Sequence, residues 1–231
     1  MIKQLLSEME QQVDPKKAII LSRFFKTGKG EYGEGDKFFG ITVPIQRQNA
    51  KKFVNLKLKE IQQLLKSKFH EHRLTALIIL TLKYKKADEK IKKEIFYFYL
   101  KNTKYINNWD LVDLTAPNIV GTYLFEKDRT MIYKLSQSNN LWEKRIAILS
   151  TFAFIRKNQF NSTLQVASIL IEDKNDLIQK AVGWMLREVG KRDLKIEEEF
   201  LKKYCKQMSR TALRYAIEKF PEKKRKYYLS I

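Results

Sequence analysis

The stretch Asn107-Asn108-Trp109-Asp110-Leu111-Val112-Asp113 brings together side chains that could do chemistry. On a helix, Trp109 and Asp113 are four positions apart, about 40° around the axis, so an indole and a carboxylate share one face. Asn107 or Asn108 can cap such a helix. Asp110 falls in its first turn, where the helix dipole favours an anion, and that role suffices for it. Leu111, Val112, Leu114 and Thr115 supply packing, and Pro117 ends or restarts the helix. Trp109 by itself reads as core more readily than as functional, but the acid is more telling. A protein that binds a polyanion incurs repulsion from a carboxylate in its groove, so an acid placed there has a task.

Two further positions join this list. Trp184 follows Gly183, a residue that costs a helix about 1 kcal/mol and is tolerated where a backbone or ligand must approach closely. Arg145 follows Leu141-Trp142-Glu143-Lys144, with Trp142 read as packing. Other patterns carry no chemistry. Gly28-Lys-Gly-Glu-Tyr-Gly33 matches a dinucleotide fingerprint, but a helix end precedes it and a loop follows, so it reads as a helix stop and turn. A phosphate contact through its amides is the other reading. His70-Glu71-His72 places its imidazoles about 200° apart on a helix, unsuited to one metal ion, and reads as solvated polar residues at a helix start. Cys205 reads as a small packing residue, and Lys223-Lys-Arg-Lys226 as a solvated basic end. No metal site and no cofactor are expected.

Composition bounds the partners. The 231 residues carry 46 Lys and Arg against 26 Asp and Glu, a formal charge of +20 that points to a polyanion. Lys outnumbers Arg 35 to 11, which an AT-rich genome would explain, but codon bias does not explain the deficit of acids. The single cysteine excludes an intramolecular disulfide and a cysteine-built zinc site. The longest apolar runs, such as Ile146–Ile155, are about ten residues, half of the roughly 20 that a bilayer span needs. The first ten residues read as an amphipathic helix and lack the features of a signal peptide. A soluble, cytoplasmic protein, monomeric and away from membranes, is the expectation.

The elements that must position these residues are helices. Only 4 prolines and 8 glycines occur, five of the glycines between Gly28 and Gly40, and apolar residues elsewhere recur at spacings of three and four. Four segments open with a cation and run into an apolar stripe: Arg73-Leu-Thr-Ala-Leu, Arg145-Ile-Ala-Ile-Leu, Lys180-Ala-Val-Gly-Trp-Met-Leu-Arg187 and Arg210-Thr-Ala-Leu. Their starts fall about one or two helix-pair periods apart, and the skipped period falls at Trp109. Second helices, such as Ile91–Leu100 and Leu164–Glu172, lie between them. This predicts an all-α, HEAT-like α-solenoid of stacked antiparallel helix pairs, one domain over residues 1–231. Cations at one phase of the repeat would make its concave face basic, which nominates Arg73, Arg145, Lys180 and Arg187 as nucleic-acid contacts.

Asn-Trp-Asp-Leu-Val-Asp at 108–113, Leu-Trp-Glu-Lys-Arg-Ile-Ala at 141–147 and Gln-Lys-Ala-Val-Gly-Trp-Met-Leu-Arg-Glu at 179–188 together resemble the DNA alkylation repair family of HEAT-like (AlkD-like) DNA glycosylases. The Phe24–Ile41 stretch with Pro44 is similar to an N-terminal segment of that family, and the likeness runs from about residue 20 to 220. The resemblance implies hydrolysis of the N-glycosidic bond of cationic N3- or N7-alkylated purines in double-stranded DNA, without a deep pocket for a flipped base. It implies that Trp109 and Asp113 are the aromatic-and-acid pair, Trp184 the second tryptophan and Arg145 a phosphate contact. Asn108 departs from members that carry another aromatic there, and the glycine-rich loop belongs to only part of the family; both bear on substrate range.

The chemistry is self-consistent. An alkylated purine is already cationic, so its glycosidic bond is weakened and the leaving base needs no proton. A carboxylate can oppose an oxocarbenium-like sugar and orient water. Indole faces can hold the cationic nucleotide, an attraction of roughly 0.5–2 kcal/mol. Two other readings compete: a non-catalytic HEAT module for damaged or branched nucleic acid, and a scaffold for an acidic protein or RNA.

Overall fold

A computed structural model describes residues 1–231. They form two compact units, Met1–Leu111 and Val112–Ile231. In the first, α1 (Ile2–Glu10), α2 (Pro15–Phe24), α3 (Val43–Lys52), α4 (Leu58–Leu65), α5 (His70–Lys86) and α6 (Glu89–Lys101) precede the start of α7 (Trp109–Ala116). A π-helical turn, Pro117–Gly121, continues α7 into the short α8 (Thr122–Leu124). Pro117 has no N–H to give, which is why the regular hydrogen-bond ladder shifts there. Then come α9 (Thr130–Ser136), α10 (Leu141–Ser150), α11 (Phe152–Ile155), α12 (Asn161–Ile169), α13 (Asp176–Gly190), α14 (Leu194–Tyr204), α15 (Arg210–Ala216) and α16 (Glu222–Ser230). There is no strand, only an isolated bridge between Lys37 and Phe69. The basic run at 223–226 is helical, and Lys224 is paired with Glu198.

Side-chain caps set many helix starts. Asp14, Asp88, Asn140, Asn175, Asp193 and Ser209 each accept a backbone N–H of the following turn. In the first unit, α5 packs on α3, α4 and α6 and buries Leu74, Ala76, Leu77, Ile79 and Leu80. In the second, the cation-headed helices pack in series: α10 against α13, and α13 against α15, with α9, α12 and α14 as their companions. The repeat seen in the sequence is therefore the packing unit of the all-α fold. Gly183 is placed at the contact between α13 and α15, where a Cβ would collide with the Ala212 carbonyl oxygen, so a backbone, not a ligand, makes the close approach. No helix is long and apolar enough to cross a membrane.

Candidate functional site

Asp113 and Arg145 meet in the second unit. Arg145 donates from Nε to Asp113 Oδ1 at 2.8 Å and from Nη2 to Oδ2 at 2.7 Å, a bidentate pair. Its Nη1 donates to the Leu177 carbonyl at 2.5 Å, so one side chain of α10 ties α7 to α13. The Arg145 side chain is 6% exposed and that of Asp113 15%. Where a phosphate contact was expected of Arg145, three of its donors are used inside the protein.

The other nominated cations divide. Arg73 is buried, donating to Asp36 Oδ2 at 2.6 Å and to the Ser67 carbonyl at 3.0 Å, so it braces the fold where a DNA contact was expected. Arg187 is ion-paired with Glu218, with a side chain 15% exposed. Lys180 is the open one, 39% exposed and paired along the helix with Asp176 at 2.6 Å. Arg73 and Arg145 are buried where the fold supplies an acid for each, Asp36 and Asp113, as a charge taken out of water requires.

Both indoles are tethered through nitrogen. Trp184 Nε1 donates to Glu188 Oε1 at 3.3 Å, and its ring lies 6.0 Å from that of Phe152. Trp109 Nε1 donates to the Tyr32 hydroxyl at 3.3 Å, and its ring stacks on Phe25 at 5.3 Å. Asn108 Oδ1 accepts the Trp109 N–H at 2.8 Å, the start expected for α7. Trp142 is buried, as expected of a packing residue, and so is Cys205.

The His70-Glu71-His72 segment is buried, which corrects its reading as solvated. Residues 36–41 fold over the first turn of α5 and turn its polar groups into internal ligands. Glu71 accepts the N–H groups of Phe39, Gly40 and Ile41. His70 packs beside the stacked rings of Phe25 and Phe38, 4.8 Å from each, and bonds Asp110 Oδ2 through Nε2 at 2.9 Å. Burial works against its charged form, but Asp110 and then Asp36 overcome it and push His70 up to about 9. Asp110 is thus the counter-ion of His70, more than the helix-dipole residue it was read to be. His72, paired with Ser67 at 2.8 Å, is pushed down to about 4 by burial and by Arg73.

Tyr32 and Phe25 were not singled out by the residue pattern. The signal that pointed to them is the crowding of glycines and aromatics between Phe24 and Gly40.

Serially packed helix pairs, a buried acid–arginine pair and tethered indoles define an all-α helical-repeat protein with polar groups built into its helix faces. Residues 5–220 match the family model of the DNA alkylation repair enzyme, and the chain belongs to that family. Its fold is similar to that of a predicted DNA alkylation repair enzyme from Enterococcus faecalis, with TM-score 0.70, 17% identity, and 91% of this chain and 98% of that one covered. It is also similar to AlkD2 from Streptococcus mutans, with TM-score 0.62, 18% identity, and 96% and 100% covered. The protein smu.31 from Streptococcus mutans UA159 has TM-score 0.56 and 19% identity, with 93% and 100% covered. At such identity these likenesses speak for the fold. No curated protein matches the sequence.

Proposed function

We propose that the chain, working as a single domain over residues 1–231, is a DNA glycosylase that releases cationic N3- or N7-alkylated purines from duplex DNA. The observation that carries this reading is the Asp113 carboxylate, gripped on both oxygens by a buried arginine yet still partly exposed. Family membership and the charge of +20 support a DNA substrate.

The chemistry follows from the charge already on the base. The C1′–N bond breaks with both electrons passing to the base, which leaves neutral. The sugar becomes oxocarbenium-like, and Asp113 opposes that charge and orients a water molecule. The water oxygen bonds to C1′, its proton passes to the carboxylate or to solvent, and an abasic site remains. Arg145 fixes the carboxylate plane, as a bidentate guanidinium does. Trp109, one turn before Asp113 on α7, and Trp184 offer ring faces to the cationic nucleotide. Lys180 serves as a phosphate contact. No metal or organic cofactor enters these steps.

The same salt bridge favours a second reading. Arg145 already compensates Asp113, so the acid no longer stands alone among cations, and a binding module for damaged DNA would tolerate it. Single-turnover base release from duplex DNA containing 7-methylguanine separates the two. Release with the wild type, slowed about 10²-fold in Asp113→Asn at unchanged duplex affinity, supports the glycosylase. Tight binding without release selects the binding module.

A further inference from the structure

The reading above leaves the glycine-rich segment without a task. We propose that residues 24–40 form a rigid bracket for the Trp109 indole and that Tyr32 is its positioning residue. The proposal rests on Trp109 facing the substrate, as in the function proposed above.

Three side chains from this region surround Trp109, none close to it in sequence. Tyr32 takes the indole N–H at 3.3 Å, Phe25 stacks on the ring at 5.3 Å and 23°, and Phe24 meets it edge-on at 5.8 Å and 72°. A stack fixes the plane of an aromatic ring but lets it slide, whereas a bond to the one indole donor selects a single orientation within that plane. Behind Phe25, Phe38 stacks at 5.2 Å and His70 lies 4.8 Å from both rings, so Phe25 itself cannot tilt without moving buried groups.

The bracket holds its own shape. Gly28 and Gly30 donate to the carboxylates of Glu31 and Glu34, each at 2.8 Å. Gly33 donates to the Lys26 carbonyl at 3.0 Å, and a Cβ there would collide with the Phe25 carbonyl oxygen, so only glycine lets the strap close this tightly. At its base, Lys37 N–H donates to the Lys68 carbonyl at 3.0 Å, and His70 N–H to the Lys37 carbonyl at 2.8 Å. Asp36 is held by Arg73, and Glu71 binds three successive N–H groups from Phe39 to Ile41. A surface loop anchored at so many points is a rigid mount, unlike most connections of its length. Tyr32 and Trp109 are both only half-buried, so their bond orients a side chain and adds little to the core.

Tyr32→Phe removes one oxygen and keeps the ring. The ¹H–¹⁵N spectrum contains three indole N–H resonances, from Trp109, Trp142 and Trp184, assigned with the Trp109→Phe chain. The expected result is a shift of the Trp109 resonance with the other two in place, and a melting temperature unchanged within about 2 °C. Single-turnover base release should fall roughly threefold to tenfold, the worth of one hydrogen bond, at unchanged duplex affinity. A Trp109 resonance that does not move, or three that move together, overturns the bracket. A moved resonance with full release overturns Tyr32 as a positioning residue. A wild-type chain that releases no base overturns the function proposed above, and the bracket is then judged on the indole resonance alone.

Discussion

Asp113 and Arg145 act as a unit, so each substitution must be judged on stability and activity together. Arg145→Ala leaves a carboxylate without its partner and severs α10 from Leu177. We expect a loss of about 3 kcal/mol or more in urea unfolding, the usual outcome when one half of a buried pair is removed. A loss below about 1 kcal/mol would show the pair to be incidental. His70 and Glu197 govern the pH dependence of folding. His70 titrates near 9 in the folded chain and at 6.5 unfolded, so its stabilisation is full below pH 6.5 and is lost as pH rises through 9. Glu197 is pushed from 4.5 up to about 9 by burial and by Glu198, so its contribution too is full below pH 4.5 and declines as pH rises. Melting temperature should therefore fall from pH 6.5 to 9. Glu197→Gln should raise it at pH 8 and leave it unchanged at pH 4. Adding Asp110→Asn to that variant should flatten the remaining slope, because the counter-ion that holds the His70 proton has gone. An unaltered slope in the double variant would sink the assignment of His70.

Among the helices, the contact between α13 and α15 has no room for an added methyl group. Gly183→Ala places a Cβ against the Ala212 backbone, which cannot yield as a flexible side chain would. A destabilisation of about 1–3 kcal/mol is expected from urea unfolding, of the size typical of overpacking. A neutral result, or a gain from improved helix propensity, would mean that the helices part at little cost. Where the helices begin was legible in the residues: α5, α7, α10, α13 and α15 start at or near their cation or cap, because caps and 3.6-residue periodicity are local properties. What covers those starts was not. The first turn of α5 reads as solvated because its polar residues carry no mark of the loop, residues 36–41, that folds over it.

For the molecule as a whole, the charge of +20 and membership in the DNA alkylation repair family predict DNA binding that weakens with salt. Each phosphate neutralised adds about −0.9 to the slope of log affinity against log salt concentration. Lys180→Ala, which removes an exposed cation paired along its helix with Asp176, should make that slope shallower by about one, while Arg187→Ala, whose side chain is only 15% exposed and paired with Glu218, should leave it unchanged. Equal effects of the two would show that exposure does not decide which cations meet DNA. By itself the sequence determined the helical class, the repeat and the family likeness, since periodicity, caps and motif order are written in neighbouring residues. It also brought Trp109 and Asp113 onto one helix. Only the tertiary structure decided what each cation is for. Arg73 and Arg145 differ from an exposed lysine by nothing in their own neighbourhoods along the chain. Their fate rests on Asp36 and Asp113, 37 and 32 residues away, because a buried charge goes wherever the fold supplies its partner.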